Sequence, residues 1–319
     1  MKLLGIDTSN YTTSLAAYDT ESGQMLQKKQ LLPVEPGKAG LRQSDAVFHH
    51  VRQLPELFEA LYAEAGENLQ PDAVGVSDAP RSQEGSYMPC FLSGLAAARM
   101  LSASAHIPLH RTSHQMGHIL AALYSAGKLG WLTGRGAFLA FHVSGGTTDC
   151  VLCRPDRDAV LRIEPVSGSL DLKAGQAVDR VGLMLGLTFP CGKALEQLAM
   201  QSDSKAAMRV TLKDGCCSLS GLQNQCADML KKGVPAADIA RYTLNSIAAV
   251  LAAMTQSAVR DCRQNAVLYA GGVLSDKLIQ QALNHAELDT AFAEPEFSCD
   301  NAAGTALYAA CREGVLCRY

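Results

Sequence analysis

A strand–turn–strand pattern occurs twice in this chain of 319 residues, once near the start of each half. The copies are residues 4–19 and 140–155. In both, a turn of small and hydroxyl-bearing residues with a Thr-Thr pair separates two apolar runs. Two apolar runs joined by a few Gly, Ser, Thr or Asn residues predict a β-hairpin. Because the same hairpin begins two halves of similar length, we predict a duplicated domain with a cleft between the copies.

The two hairpin turns are candidates for phosphate binding. In a duplicated domain of this kind the turns face each other, and their backbone N–H groups can surround a phosphate. A chance repetition of two common turn sequences is the alternative explanation of the pattern. If the duplication is real, the candidate nucleotide or substrate ligands are these turn residues: Asp7, Ser9, Val143, Ser144, Gly145, Gly146 and Thr147.

Strands and helices alternate along the rest of the chain. The predicted strands beyond the hairpins are 24–32, 72–76, 107–110, 159–166 and 266–270. Single helices are predicted at 45–65, 91–103, 113–126 and 301–313, several helices around 173–201, and a helical block at 221–262. Alternation of this kind predicts an α/β fold with largely parallel pairing beyond each hairpin. The order of elements in each half is similar to that of the actin/sugar-kinase/Hsp70-like ATPases.

The expected domain boundaries follow from the duplication. Residues 1–134 form a first lobe and residues 135–319 a second lobe, and the final helix can pack back on the first lobe. A linker is expected at 127–136, between the lobes, and a loop at 33–44, which is rich in Pro, Gly and charged residues.

Composition narrows the class of protein. A hydrophobic content of 48% with 18% charged residues supports a sizeable core and argues against disorder. Nothing after Met1 resembles a signal peptide, and no apolar run approaches the ~20 residues that span a bilayer. The 11 cysteines are scattered without zinc-finger spacing, so we expect reduced thiols in a cytoplasmic protein without membrane association. The net charge of −3 gives no electrostatic argument for binding nucleic acid.

Two histidines on one predicted helix are candidate metal ligands. His114 and His118 are spaced i, i+4, which places both imidazoles on one helix face. Neutral imidazole suits Zn²⁺, Fe²⁺ or Ni²⁺. No Glu follows the first histidine, so the HExxH signature of metalloproteases is absent. Two half-buried helix histidines without a metal are the alternative, and the spacing does not identify a third ligand.

A glycine pair follows the apolar strand predicted at 266–270. Gly271 and Gly272 lie between that strand and a helix that begins near Ser275. Such a junction lets the backbone approach a ligand closely, and in ATPases of this layout the adenosine lies there. Gly-Gly also serves simple turns, so the motif alone is weakly specific.

Six motifs, in order along nearly the whole chain, resemble those of the tRNA N6-adenosine threonylcarbamoyltransferases, the TsaD/Gcp family once described as O-sialoglycoprotein endopeptidases. Residues 114–118 resemble the HxxxH metal motif, and residues 143–148 resemble the VSGGHT phosphate turn. The other matches are 174–192 with AGEAFDKVAKLLGLGYPGG, 219–222 with FSGLKT, 271–273 with GGVAAN, and 298–303 with CTDNAAM.

The resemblance implies further site residues. Asp300 stands at the position of the family's third protein ligand to the metal. Asp179, Gly192 and Glu196 stand where the family contacts its ligand, and Asp276 stands where an adenosine-contacting Asn is expected. The implied cofactors are one divalent metal (Fe, Zn or Mg) and an adenine nucleotide or acyl-adenylate. The implied partners are tRNA and either a TsaB-like protein or a second copy of the chain.

Several positions depart from the family pattern. Thr147 replaces a His in the phosphate turn, Gln176 replaces a Glu, and Gln223 replaces a Lys. Asp276 replaces the expected Asn, and residues 78–87 replace a GPGLxGSLxVG loop. Each change alters charge or hydrogen-bonding capacity. The sequence therefore resembles a divergent paralogue, with weaker nucleotide binding than a relative that keeps all the motifs.

The function implied is transfer of a threonylcarbamoyl group to N6 of a tRNA adenosine, or a related carbamoyl transfer to another acceptor. A non-catalytic nucleotide-binding partner of a true family member is the alternative. The family's inactive partners lack the metal histidines, and this chain keeps them, which favours an enzyme. A small-molecule kinase would need an acidic base that no motif supplies, and a peptidase is not expected. The true acceptor, the metal and the oligomeric state are not given by the sequence.

Overall fold

The computed structural model of the chain describes residues 1–9, 11–33, 41–66 and 69–317. Most of the loop expected at 33–44 lies outside the described residues. The strands are β1 (Lys2–Ser9), β2 (Thr12–Asp19), β3 (Met25–Leu31), β4 (Ala73–Ala79), β5 (Leu109–Ser113), β6 (Phe138–Val143), β7 (Thr148–Asp156), β8 (Val160–Gly168), β9 (Ala266–Ala270) and β10 (Asp289–Phe292). The helices are α1 (Gln43–Ala65), α2 (Phe91–Ala105), α3 (His114–Ser125), α4 (Trp131–Gly134), α5 (Ala174–Met184), α6 (Gly192–Ala199), α7 (Ser220–Lys231), α8 (Ala236–Cys262), α9 (Lys277–Leu283) and α10 (Ala303–Arg312).

The described strands form two five-stranded sheets with the same order of strands. The first sheet has the order β3-β2-β1-β4-β5. The second has the order β8-β7-β6-β9-β10, in which each strand occupies the position of its counterpart in the first sheet. In both sheets a hairpin pairs antiparallel, and its first strand pairs parallel with the next strand after a helix. The predicted α/β class is therefore confirmed, and both halves repeat one strand order. The predicted cleft between the halves stays a prediction.

The two hairpins differ in the length of their turns. In the first, Ser9 pairs with Thr12, so two positions of the sequence separate the last pair. In the second, Val143 pairs with Thr148, which leaves the four residues 144–147 in the turn. Because side chains alternate between the two faces of a strand, the extra residues change which groups are presented beyond the last pair. The two turns are therefore different as ligand-binding elements.

The chain divides into two compact units. Residues 1–135, 155–162 and 299–319 form the first, and residues 136–154 and 163–298 form the second. The boundaries predicted from the sequence, 1–134 and 135–319, stay a prediction. A core of the first unit lies between its sheet and helices α1 and α2, and includes Leu4, Ile6, Leu54, Leu57, Val74 and Val76. The core of the second unit centres on β6, β9 and the long helix α8.

Helix α10 packs on the other face of the first sheet at very short range. A Cβ atom added to Gly75 on β4 would lie 2.0 Å from the Thr305 carbonyl oxygen. A Cβ atom added to Gly304 on α10 would lie 1.8 Å from the Gly117 carbonyl oxygen on α3. Only glycine fits at such distances, so the glycines set how closely α10 approaches the sheet and α3. This approach fixes the segment that leads into α10.

Two elements differ from the sequence prediction. The expected linker at 127–136 contains helix α4, because Trp131 and Leu132 are apolar and bury their side chains. Strand β10 was not predicted, since only four residues pair with β9. Among the described residues, no helix has the length and apolarity needed to cross a membrane.

Candidate metal centre

The two candidate histidines lie on adjacent turns at the beginning of α3. The Ser113 hydroxyl caps this helix by accepting a hydrogen bond from the Met116 backbone N–H at 3.2 Å. The spacing of four residues brings His114 and His118 to the same face, with ring centroids 4.3 Å apart. Their Nε2 atoms lie 2.8 Å from each other. The predicted helical pairing of the two imidazoles is therefore present in the structure.

Asp300 reaches the same point from the segment before α10. Its Oδ1 atom lies 3.5 Å from His114 Nε2 and 3.4 Å from His118 Nε2. The Asn301 side chain shapes this segment, because its Nδ2 donates to the Cys299 carbonyl at 2.7 Å and its Oδ1 accepts from the Ala303 N–H at 3.1 Å. The residue that the family resemblance implied thus lies beside the histidines.

The three side chains fit a divalent cation. One atom from each lies within 4.8 Å of the others, and all three belong to the first compact unit. A cation bonded to each atom at about 2.1 Å in tetrahedral geometry would hold the atoms about 3.4 Å apart. The two distances to Asp300 are close to this value, whereas the Nε2–Nε2 distance of 2.8 Å would lengthen when a cation binds. Two imidazoles with one carboxylate match the donors that Zn²⁺ and Fe²⁺ accept.

Asp7 contacts the histidine pair from strand β1. Its Oδ2 lies 2.7 Å from His114 Nδ1, and its Oδ1 accepts a hydrogen bond from the Ser9 N–H at 2.8 Å. The side chain is 1% exposed. Sequence reasoning placed Asp7 and Ser9 among phosphate ligands, whereas both oxygens of Asp7 already have partners in the structure. Asp7 therefore belongs to the surroundings of the metal cluster.

The electrostatics of the cluster are those of two carboxylates around one charged imidazole. Burial disfavours a charged His114, but the Asp7 and Asp300 carboxylates outweigh it and raise its pKa to about 10. Burial and the neighbouring charge of His114 lower the pKa of His118. Despite burial, the histidines hold the pKa of Asp7 below its ordinary value and that of Asp300 well below it. The carboxylates are therefore ionised at neutral pH.

One hydroxyl of the first hairpin contacts the cluster, and two other hydroxyls of the same sheet are buried without a partner within the part of the chain that the structure describes. The Thr12 hydroxyl donates to Asp300 Oδ2 at 3.4 Å, a contact that sequence reasoning missed. Among the described residues, the buried hydroxyls of Ser9 and Ser77 have no hydrogen-bond partner. Ser9 follows Asp7 by two residues, and Ser77 lies on the next strand of the sheet. Buried hydroxyls without partners are costly unless water or a ligand satisfies them.

The second hairpin turn lies against the beginning of α5. The Gly175 N–H donates to the Ser144 carbonyl at 3.2 Å, and a Cβ atom on Gly175 would lie 2.6 Å from the Gly145 nitrogen. The Thr148 hydroxyl accepts from the Ala174 N–H at 2.9 Å. Added Cβ atoms on Gly145 and Gly146 would meet no atom within 4 Å among the described residues. The turn Ser144–Thr147 is thus open and next to a helix N-terminus.

The other candidate nucleotide residues of the second unit form a connected set. Asp179 Oδ1 accepts from the Cys191 N–H at 2.9 Å, which fixes the backbone just before Gly192. Glu196 Oε1 accepts from the Lys277 N–H at 2.8 Å. Asp276 caps α9 by accepting from two backbone N–H groups, at 2.9 and 3.1 Å. Burial, with the charge of Glu196, raises the pKa of Asp276 to about 6.

The glycine pair follows β9 as predicted. Gly271 has a φ of 108°, and a Cβ atom there would lie 2.3 Å from the Val143 carbonyl oxygen. The absence of a side chain at Gly271 thus serves the packing of this junction on the end of β6. Gly272 begins a short 3-10 turn and has open space around its Cα.

Positions that depart from the family pattern have partners of their own. Gln223 Oε1 accepts from Arg180 Nη1 at 3.1 Å, and Gln176 Oε1 accepts from the Lys173 N–H at 3.2 Å. The altered loop at 78–87 connects to α3, because the Ser82 and Ser113 hydroxyls lie 2.9 Å apart. The structure therefore accommodates these changes locally.

The repeated strand order defines a protein of the α/β class with two five-stranded sheets of one order. Among solved structures, full-length HypF superposes with a TM-score of 0.62 at 12% identity, covering 100% of this chain and 47% of that chain. The ROK hexokinase of Thermus thermophilus superposes with a TM-score of 0.51 at 17% identity, covering 98% of this chain and 100% of that chain. At these identities the likeness concerns the fold.

The sequence profile described as "TsaD: tRNA N6-adenosine threonylcarbamoyltransferase" matches residues 35–307, and the chain belongs to this family. A Thermus thermophilus relative with the name tRNA N6-adenosine threonylcarbamoyltransferase is 30% identical over 318 residues, covering 97% of this chain and 92% of its own. An Archaeoglobus fulgidus relative with the same name is 27% identical over 283 residues, covering 89% and 81%. The predicted resemblance is therefore confirmed, and the family is one of transferases, not peptidases.

Proposed function

We propose that this chain transfers a threonylcarbamoyl group, or a closely related carbamoyl group, from an acyl-adenylate to an acceptor amine with the help of one divalent metal. The N6 amine of a tRNA adenosine is the acceptor that the family indicates. The observation that carries the proposal is the convergence of His114, His118 and Asp300 at ligand spacing. A non-catalytic partner would have no need to keep three metal-binding side chains in this arrangement.

His114, His118 and Asp300 would hold the metal through the atoms that already face one another. When bound, the metal supplies Lewis acidity that polarises a carbonyl group. The low pKa values of Asp7 and Asp300 keep two negative charges beside the cation at neutral pH. These two negative charges compensate the charge of a divalent cation in a buried site. They therefore lower the free-energy cost of transferring the cation from water into the protein.

The turn Ser144–Thr147 would bind the phosphate of the adenylate. It leaves open space above two glycines and lies next to the N-terminus of α5, where the helix dipole favours an anion. The first hairpin turn is less suited to phosphate, because the ionised Asp7 carboxylate lies just before it. We therefore assign the phosphate to the second turn alone.

The reaction balances without a nucleophile from the protein. The acceptor amine forms a bond to the carbamoyl carbon, and the bond from that carbon to the phosphate oxygen breaks. The adenylate leaves as AMP, which takes the electron pair of the broken bond. One proton of the amine passes to water. No serine or cysteine is required, which agrees with the lack of a Ser–His–Asp arrangement in the sequence.

The direct test supplies threonylcarbamoyl-adenylate and measures transfer to tRNA and to small amines. The wild type should transfer the group, whereas His114→Ala should lose nearly all of the activity. His49→Ala, a histidine change on α1, is the matched control and should behave as the wild type. Because the net charge is −3 and the loop at 78–87 is altered, we expect slow transfer to tRNA without a partner and poor complementation of cells that lack threonylcarbamoyladenosine.

The result also separates the two candidate functions. Turnover with any acceptor that depends on His114 supports the transferase. Nucleotide binding without turnover, unchanged by His114→Ala, would favour a non-catalytic partner of a true family member. Whether a TsaB-like protein or a second copy assists the reaction stays a prediction, and adding a purified candidate partner to the same assay tests it.

A further inference from the structure

The first hairpin touches two different members of the metal cluster. Asp7 on β1 contacts His114, and Thr12 on β2 contacts Asp300. Ser9 pairs with Thr12 in the antiparallel register, and directly paired residues share one face of a sheet. Asp7 precedes Ser9 by two residues and therefore points to that same face. One face of a short hairpin thus presents a carboxylate and a hydroxyl to the cluster.

The contact of Asp7 determines which nitrogen of His114 can bind a metal. An imidazole has two nitrogens, and Nδ1 is engaged by the Asp7 carboxylate at 2.7 Å. Nε2 is left to face His118 and Asp300. A carboxylate on the remote nitrogen fixes the tautomer and ring orientation and makes the ligating nitrogen more basic. Asp7 is itself held in place by the Ser9 N–H.

The contact of Thr12 acts on the third ligand in the same way. Asp300 has two oxygens, and Oδ1 faces both histidine Nε2 atoms. Oδ2 accepts the Thr12 hydroxyl at 3.4 Å, near the outer limit for a hydrogen bond. Thr12 is 5% exposed, so water competes little for this contact. The hydroxyl therefore favours the orientation in which one carboxylate oxygen is directed at the histidines.

We propose that Asp7 and Thr12 are positioning residues for the divalent metal held by His114, His118 and Asp300, and that the first hairpin serves the metal rather than a phosphate. The inference rests on the proposed metal-dependent function. It gives the two hairpins different tasks: the two-residue turn organises the metal ligands, and the four-residue turn receives the nucleotide. The different turn lengths of the two hairpins agree with this division.

The test measures the affinity of the full chain for Zn²⁺ by competition with a chromophoric chelator, and records the visible absorption of bound Co²⁺. Asp7→Asn keeps an acceptor for His114 but removes the charge, and Asp7→Ala removes both. The Zn²⁺ affinity, corrected for protonation of the ligands at the pH of the assay, should fall about 10-fold in the first and about 100-fold in the second, the range observed for loss of outer partners of metal ligands. The Co²⁺ absorption should also shift, which loss of stability alone would not cause.

Thr12 provides an independent pair of variants. Thr12→Val removes the hydroxyl at nearly constant volume and should weaken Zn²⁺ binding about tenfold. Thr12→Ser restores a hydroxyl and should bind close to the wild type. This pair carries the test even if the Asp7 variants fail to fold, which the thermal unfolding of the metal-free proteins will show.

Matched controls lie at the other end of the same hairpin. Asp72 accepts from the Lys2 N–H at 2.7 Å, and the Thr20 hydroxyl donates to the Met1 carbonyl at 3.1 Å. Asp72→Asn and Thr20→Val should leave Zn²⁺ affinity and the Co²⁺ spectrum unchanged. Folded Asp7 and Thr12 variants that bind both metals as the wild type does would overturn the inference, as would a wild type that binds neither. The expected order of affinities without any group transfer would support the inference and count against the proposed reaction.

Discussion

The Asp7 carboxylate lies 2.7 Å from His114 Nδ1 and stabilises the protonated imidazole. A metal that binds His114 must therefore displace a proton. The Asp7 and Asp300 carboxylates together raise the pKa of His114 to about 10, so the metal-free chain keeps His114 protonated at neutral pH. His118 is neutral there, because its pKa is lowered, and both carboxylates are ionised. Of the three ligands, only His114 must lose a proton when the metal binds.

Metal binding should therefore release one proton per cation at pH 7. Metal affinity should rise by about tenfold for each pH unit, up to the pKa of His114 near 10, because the competing proton becomes easier to remove. Calorimetric titration with Zn²⁺ in buffers of different ionisation enthalpy measures the number of protons. Asp7→Asn should release less than one proton, since the pKa of His114 falls without its partner. Binding of Zn²⁺ to the wild type with no proton release would contradict the protonation scheme.

Asp276 should make the free energy of unfolding depend on pH. Its pKa is raised in the folded chain to about 6, from an ordinary value of 3.8, so the folded state binds its proton more tightly than the unfolded state. The stability that this group contributes is complete below about pH 4 and is lost as the pH rises through about 6. Asp276→Asn keeps a helix-capping side chain and carries no charge.

We expect Asp276→Asn to stabilise the chain at pH 7.5 by on the order of 2 kcal/mol and to leave its stability unchanged at pH 4. Urea unfolding of both proteins across this pH range gives the difference, in which other titrating groups cancel. The same variant carries the Asn that the family resemblance implies at the adenosine, so we expect it also to bind AMP more tightly at pH 7.5. Equal stabilities of the two proteins at all pH values would show that burial does not raise the pKa of Asp276.

Local patterns in the sequence identified the parts of the site that one element supplies. The i, i+4 spacing placed His114 and His118 on one helix face, and the hairpins and the α/β class followed from apolar runs and turns. Asp300 came only from the family resemblance, because its contact with α3 depends on how α10 packs. No local periodicity encodes the fit of Gly304 against Gly117, which brings that helix into place.

The hairpin residues show why pattern alone was insufficient. The turn sequence predicted Asp7 and Ser9 near a ligand, but not that Asp7 would face His114. Thr12 was missed because two neighbouring threonines look alike in the sequence, whereas the strand turns them to opposite faces. Thr12 contacts Asp300, and Thr13 contacts His50 and Gln53 on α1. The strand register, which the sequence predicts poorly, determines which threonine meets the metal ligands.

Gly304→Ala should disrupt the packing that brings Asp300 to the histidines. The added methyl group would lie 1.8 Å from the Gly117 carbonyl oxygen, and this backbone cannot move without shifting α3. We expect a loss of at least about 3 kcal/mol of stability, at the upper end for overpacked positions, and weaker Zn²⁺ binding.

Gly221→Ala, on helix α7, is the control, because an added Cβ atom there meets nothing within 4 Å among the described residues. It should be neutral or slightly stabilising. Thermal unfolding of both variants, with and without Zn²⁺, decides the matter, and a Gly304→Ala protein as stable as the wild type would be inconsistent with the close approach of α10.

Gly145→Asp should abolish binding of adenine nucleotides while leaving the fold intact. The turn Ser144–Thr147 has room for a side chain at this position, so the substitution should cost little stability. A carboxylate there would face the phosphate and remove the attraction that the open turn and the N-terminus of α5 provide.

Gly145→Ala adds only a methyl group and is the matched control, which should bind ATP, ADP and AMP nearly as the wild type does. Calorimetry at low and high salt measures the effect, and the loss should be larger at low salt because screening weakens the repulsion. Equal nucleotide binding by the wild type and the Gly145→Asp protein would show that the phosphate does not bind at this turn.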